Sequence, residues 1–207
     1  MDVLEMIERT AKRIAVCCVK NNVIQQEQEG VCAYGMELLI ATMCSTAAIL
    51  GAGLILHRFW YTIFLLVPFY HIRMYAGGIH AETYTKCILS FTVGFLTILL
   101  GTEYLIQAGF QDGMMWCSRM SFLVIWLVSP IEDHSRPLSV EEQARYKKKA
   151  RVSALGYESM VQAIYYIWRP AEALYAASAV SAVALVLILG IVKNKRIGYR
   201  PAHICRK

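Results

Sequence analysis

The sequence predicts an all-α polytopic membrane protein: six transmembrane helices preceded by an amphipathic cytoplasmic helix. Three observations carry this. Hydrophobic residues make up 57% of the 207 and charged residues only 17%, against about 25% charged in ordinary soluble domains. Mean hydropathy is +0.44, which excludes a disordered chain and argues against a soluble cytosolic enzyme. Finally, the basic residues fall on one side of any topology that treats the apolar stretches as spans.

The first 36 residues read as a separate amphipathic segment. Leu4, Ile7, Ala11, Ile14 and Cys18 recur at helical spacing, with Arg9, Lys12, Arg13 and Lys20 mostly between them. Such a helix lies on the inner membrane surface or packs its apolar stripe on the protein's own cytoplasmic face. No apolar run followed by a small-residue cleavage site occurs here, so no secretory signal peptide is expected.

Residues 37–192 form the predicted membrane domain. A span needs about 20 apolar residues to cross a hydrocarbon core of about 30 Å. Glu37–Leu56 and Ala173–Val192 satisfy this plainly, and Ile88–Gln107 does so with Glu103 near its end. Met114–Pro130 is acceptable if Arg119 snorkels from one edge. Phe59–Tyr70 is short and contains Pro68, and Val152–Trp168 contains Glu158 and Gln162. Counting all six as spans with an inner N-terminus leaves 18 of the 21 Lys and Arg inside, and only Arg58, Arg119 and Arg169 outside. Removing either marginal span alone throws a basic cluster to the outer side, against the positive-inside rule. The basic tail, residues 193–207, is then cytoplasmic. Tyr165, Tyr166 and Trp168 read as an interfacial aromatic belt.

The seven cysteines form no Cys-x-x-Cys pair, so neither a disulfide framework nor a zinc site is indicated. No metal-binding helix motif and no phosphate-binding glycine loop occur, and His57, His71, His134 and His203 have no metal-ligand spacing. No metal, cofactor or nucleic-acid partner is therefore expected.

One inner stretch concentrates reactive groups: Arg73-Met-Tyr-Ala-Gly-Gly-Ile-His80-Ala-Glu-Thr-Tyr-Thr-Lys-Cys87. A reactive thiol needs thiolate character and a neighbouring base, which histidine supplies. Gly77 and Gly78 interrupt any helix and allow close backbone approach. Two helical turns separate His80 from Cys87, about 10.5 Å on a straight helix. Pairing thus requires His80 to fold back from the glycines, with Cys87 near the start of the third span, where a helix N-terminus lowers a thiol pKa. On chemistry alone, the commoner meaning of such residues is an interfacial histidine and a packed cysteine.

This run, Arg73 to Cys87 with Gly78 and His80, resembles the core motif of the accessory gene regulator B (AgrB) family. The stretch Ser129-Pro-Ile-Glu-Asp-His-Ser-Arg-Pro-Leu-Ser-Val-Glu-Glu-Gln-Ala-Arg-Tyr-Lys-Lys-Lys is similar to that family's loop between its fourth and fifth spans. The resemblance implies a multi-pass protein of the bacterial cell membrane with both termini cytoplasmic. It also implies a cysteine endopeptidase that cleaves the C-terminal tail from an AgrD-like precursor of a quorum-sensing autoinducing peptide, a signal tied to virulence regulation. By the same resemblance Cys87 is the nucleophile, His80 the general base, Arg73 and Gly78 positions needed for activity, and a homodimer the expected assembly. An acyl-enzyme thioester would be resolved by an internal Cys or Ser of the precursor, closing a thiolactone or lactone.

Other residues keep two readings. Glu82 either orients His80 or is a solvated carboxylate, the commoner case. Arg73 either binds a carboxylate or braces the loop, or anchors topology. Lys147, Lys148 and Lys149 either dock an acidic precursor tail or simply fix orientation in the membrane, the simpler reading. Glu158 either lines a peptide path or hydrogen-bonds a neighbouring helix. The alternative function is a non-catalytic membrane transporter or scaffold for a small peptide, with Glu158 on its path and the glycines as a hinge. A thiol acyltransferase acting on intact peptides is a third class.

Overall fold

The structure, a computed structural model, describes residues 3–77, 84–131 and 139–197. Among these residues the fold is all-helical: α1 (Val3–Lys20), α2 (Glu29–Ile55), α3 (Phe59–Ala76), α4 (Tyr84–Gln107), α5 (Gln111–Val128), α6 (Val140–Trp168) and α7 (Ala171–Ile197). By length and composition three of them can cross a membrane, over Gln26–Ile55, Ile88–Gln107 and Ala171–Arg196. These contain the three plainest predicted spans, save Leu56, which lies one residue past α2. The other predicted spans are helical as well, but α3 and α5 have 18 residues each, only about 27 Å of rise. The first three turns of α6 are mostly polar and charged.

The chain divides into two units. The first comprises Met1–Ile55 with Ala81–Leu96. Within it the stripe Ile7, Ala11 and Ala15 is buried and α1 packs along α2. Of the two readings of α1, the contacts carry the one in which the stripe covers the protein itself. On the flanking exposed face Lys12 and Glu8 pair at 3.0 Å one turn apart, and that contact with Glu8 raises the ammonium's pKa. Burial pushes the Cys18 thiol up as well.

The second unit comprises Leu56–His80 with Thr97–Lys207, and α7 is its centre, packed on by α3, α5 and α6. The sequence of α7 explains this: Ala173, Ala176, Ala177, Ala179, Ala182 and Ala184 are all buried, and small side chains let helix backbones approach closely. Where α7 presents larger groups they are matched. Tyr175 stacks on Tyr61 at 4.6 Å, Ser178 accepts from Thr102 at 2.8 Å, and Leu174 joins Met114, Met115 and Val161 in the core. Arg58 pairs with Glu103, joining two residues predicted for the outer side.

Two predicted features change on folding. Tyr165 is not an interfacial anchor: it is fully buried and its hydroxyl donates to Asp112 Oδ1 at 2.9 Å. Its neighbours Tyr166 and Trp168 are exposed, as a belt requires. Secondly, Lys147, Lys148 and Lys149 lie on α6, not in a loop. The start of α6 is set by a capping box: Ser139 Oγ accepts from Glu142 N, and Glu142 Oε2 accepts from Ser139 N, which satisfies two otherwise orphaned donors. Ser139→Ala should therefore lower stability by about 1 kcal/mol. A detergent melting curve identical to that of the unsubstituted protein would show that the cap does not hold the helix.

Candidate active site

The site is built at the C-terminal end of α3. Ile72 and Ala76 have no exposed surface, so the last turn is pinned while Arg73, between them, is half-exposed. Arg73 lies over the Phe69 ring at 5.6 Å, and its cation sits where the helix dipole favours positive charge. Gly77 ends the helix: its N–H reaches Arg73 O at 3.0 Å and its φ is +79°, a conformation open to glycine and strained for other residues.

Gly77 meets an unexpected partner. Ile131, just beyond α5, donates its N–H to Ala76 O at 3.0 Å, and Gly77 and Ile131 form a parallel bridge. A Cβ at position 77 would stand 2.2 Å from the Ile131 carbonyl oxygen. The close backbone approach that this glycine permits is therefore to the protein's own chain. Beside it, Ser129 is 2% exposed, and its Oγ has no hydrogen-bond partner among the described residues.

α6 runs beside the same end of α3. His71 packs edge-on against Tyr75 and Tyr157 at 5.6 and 5.5 Å, and Tyr75 faces Tyr146. Lys149 places its ammonium 5.3 Å from the Tyr75 ring centre. Arg73, Gly77 and Lys149 are thus gathered around the C-terminal end of α3, whereas Lys147 and Lys148 are exposed on α6. Cys87 is the fourth residue of α4, within its first turn, where the local sequence argument places a reactive thiol. Gly78, His80 and Glu82 lie outside the described residues.

Glu158 belongs elsewhere. It is 6% exposed and both its oxygens are occupied, Oε2 by Ser118 Oγ at 2.6 Å and Oε1 by Gln162 Nε2 at 2.5 Å. Gln162 Oε1 in turn accepts from Arg119 Nε and Nη2 at 3.1 and 2.9 Å, and Arg119 Nη2 also reaches Tyr166 Oη at 2.7 Å. Arg119 is thus held by two residues of α6. Of the two readings of Glu158, the hydrogen bond to a neighbouring helix is the one observed, through Ser118 of α5; sequence reading missed its extension through Gln162 to Arg119. It missed Ile131 as well, which carries no local signal.

The model of the family described as Accessory gene regulator B matches residues 11–192, a range that contains α3, α4 and both motif stretches. Among curated relatives, an AgrB-like protein of Clostridium perfringens (strain SM101 / Type A) is 23% identical over 90% of this chain and 88% of its own. The AgrB-like protein 2 of Clostridium perfringens (strain 13 / Type A) is 23% identical over 72% of each chain. The Accessory gene regulator protein B of Staphylococcus carnosus (strain TM300) is 28% identical over 56% of this chain and 58% of that one. No solved structure matches. With its two motif stretches inside one family match that spans most of its length, the chain belongs to the accessory gene regulator B family.

Proposed function

We propose that this protein is a membrane cysteine endopeptidase that matures the precursor of a quorum-sensing peptide. The observation that carries the reading is the family match across residues 11–192, combined with a chain order that breaks α3 at Gly77 and brings Cys87 into the first turn of α4. In this reading the chain crosses the bacterial membrane six times with both termini cytoplasmic, residues 37–192 forming the protease domain between the amphipathic segment and the basic tail. The active assembly is a homodimer.

The chemistry follows from the residues. His80 takes the proton of Cys87, and the thiolate attacks the carbonyl carbon of the scissile peptide bond. The leaving amine takes that proton as the C–N bond breaks, and the C-terminal tail departs. The remaining thioester is reactive enough for an internal Cys or Ser of the precursor to displace Cys87 without ATP. Exclusion of water until that group arrives favours the ring over hydrolysis. Lys149, Lys147 and Lys148 offer positive charge to an acidic tail. A role for Glu158 on a peptide path has less support, since both its oxygens are already engaged within the protein.

Single-turnover reaction with a synthetic precursor in vesicles tests this directly. A thioester adduct on the Cys87 peptide, released by hydroxylamine and formed together with free tail, is expected by mass spectrometry. Tail release with no adduct at Cys87 at any time would overturn the assignment.

A further inference from the structure

Past Asp112, Arg119 is the only charged residue of α5, and the polar connection from Glu158 stops at it without cancelling its charge. Gln162 stands between the two, and among the described residues no carboxylate forms an ion pair with the guanidinium. A guanidinium carries five N–H donors. Nε and Nη2 are engaged by Gln162 Oε1 and Tyr166 Oη. Nη1 keeps its two, with no acceptor among the described residues. Trp116 and Tyr166 flank the cation with ring centres at 4.6 and 5.4 Å, and both are more than half exposed. Gln162 also reaches Met115 O at 3.5 Å, which sets the cation about level with Met115. That is four residues from Gln111, the start of α5, or about 6 Å. From there an exposed apolar stripe runs down α5: Trp116, Met120, Leu123 and Leu127, at helical spacing on one face.

We propose that this face of α5 and α6 binds an anionic phospholipid, with Nη1 of Arg119 donating to the headgroup phosphate and the acyl chains lying along the stripe. This rests on the six-span reading proposed above, in which α5 begins at the outer surface. A cation inside a span draws headgroups and water toward itself, and basic pockets between membrane helices hold anionic headgroups. The rings on either side hold the guanidinium plane in place, so its open edge faces one direction. An uncompensated charge at the head of an apolar track matches a lipid in both halves. A free anion leaves the stripe bare, and so does a peptide carboxylate.

Fluorescence quenching of Trp116 by lipids brominated in the acyl chain tests the site, with Trp60, Trp126 and Trp168 changed to phenylalanine. Vesicles mix phosphatidylglycerol with phosphatidylcholine, and the bromine is placed on one lipid or the other. The ratio of the two quenching efficiencies gives the preference of this position for the charged headgroup. A preference for phosphatidylglycerol on the order of tenfold is expected, the scale of a hydrogen bond between charged partners. Arg119→Gln should abolish it. Arg119→Lys should keep only part of it, because an ammonium lacks the guanidinium fork. Equal quenching by both lipids overturns the site and leaves the six-span reading standing; a shift of Trp116 emission on adding precursor would then give the face to the peptide. A preference undiminished in Arg119→Gln belongs to other cations and also ends the proposal. Quenching by neither lipid places Trp116 outside the bilayer and overturns both readings. Should a substituted protein fail to accumulate, native mass spectrometry compares the chain bearing its own tryptophans with its Arg119→Lys variant. Weaker retention of phosphatidylglycerol in the variant supports the site, and equal retention ends it.

Discussion

Cys87→Ala should abolish precursor cleavage, by at least about 10⁴-fold, because no other group in the proposed mechanism can form the covalent intermediate. His80→Ala should lose on the order of 10²–10⁴-fold, the usual contribution of a positioned general base. Both proteins are expected to accumulate in the membrane, which the immunoblot checks. The double variant should be hardly worse than Cys87→Ala alone, because members of one catalytic unit are strongly non-additive. Cys87→Ser is a sharper test still. It preserves shape but replaces a thiol by a hydroxyl whose proton His80 would have to remove from a far weaker acid. Tail release measured on membranes, normalised to protein amount by immunoblot, decides the matter. Retained cleavage in Cys87→Ala or His80→Ala would sink the protease reading and return weight to a transporter or scaffold.

Much of this architecture was legible in the sequence because membrane helices are governed by length, polarity and charge asymmetry, all of which are local. The stretches 37–55, 88–107 and 173–192 are helical as expected, and Gly77 does end a helix. What escaped were features decided by tertiary contact. The predicted span Phe59–Tyr70 stops short: α3 runs on to Ala76 with Pro68 buried inside it, and neighbouring helices stabilise such interruptions. The lysine run was expected in a loop because its stretch is similar to the family's loop between the fourth and fifth spans. Yet Ser139 and Glu142 form a box that nucleates a helix straight through it, and that signal was present in the residues. Tyr165 looked interfacial because it adjoins Tyr166 and Trp168. Only the facing Asp112 on α5 shows why a tyrosine there goes inward. The meeting of Gly77 with Ile131 had no sequence signature at all: a backbone–backbone contact between distant segments leaves a glycine and nothing else. For the site itself, the sequence supplied the residue types and spacing, and the structure adds the positions of Arg73, Gly77 and the start of α4.

The largest stability effect should come from Glu158. Its carboxylate accepts from Ser118 on α5 and from Gln162 one turn along α6, and Gln162 passes the connection on to Arg119 of α5. The amide thus stands between an acid and a guanidinium with each end facing the group it suits. Glu158→Ala strands the donors, though not equally. Ser118 can turn its hydroxyl back to the carbonyl of Met114, as helical serines do, so its loss is small. Gln162 Nε2 retains only a long 3.5 Å contact to Met115 O, and Arg119 loses the acid that completed its chain. An unpaired buried donor costs about 1–3 kcal/mol, while hydrogen bonds between membrane helices average nearer 0.6 kcal/mol. The expected destabilisation by Glu158→Ala is therefore on the order of 2–3 kcal/mol, with Ser118→Ala well below 1. Glu158→Gln should fall between them, since its amide must turn one donor toward another. A double-variant cycle in detergent or bicelles should give a larger coupling for Glu158 with Gln162 than with Ser118. If Glu158→Ala left unfolding unchanged but stopped release of the cyclic product, the chain would be a peptide path and not a clamp between α5 and α6.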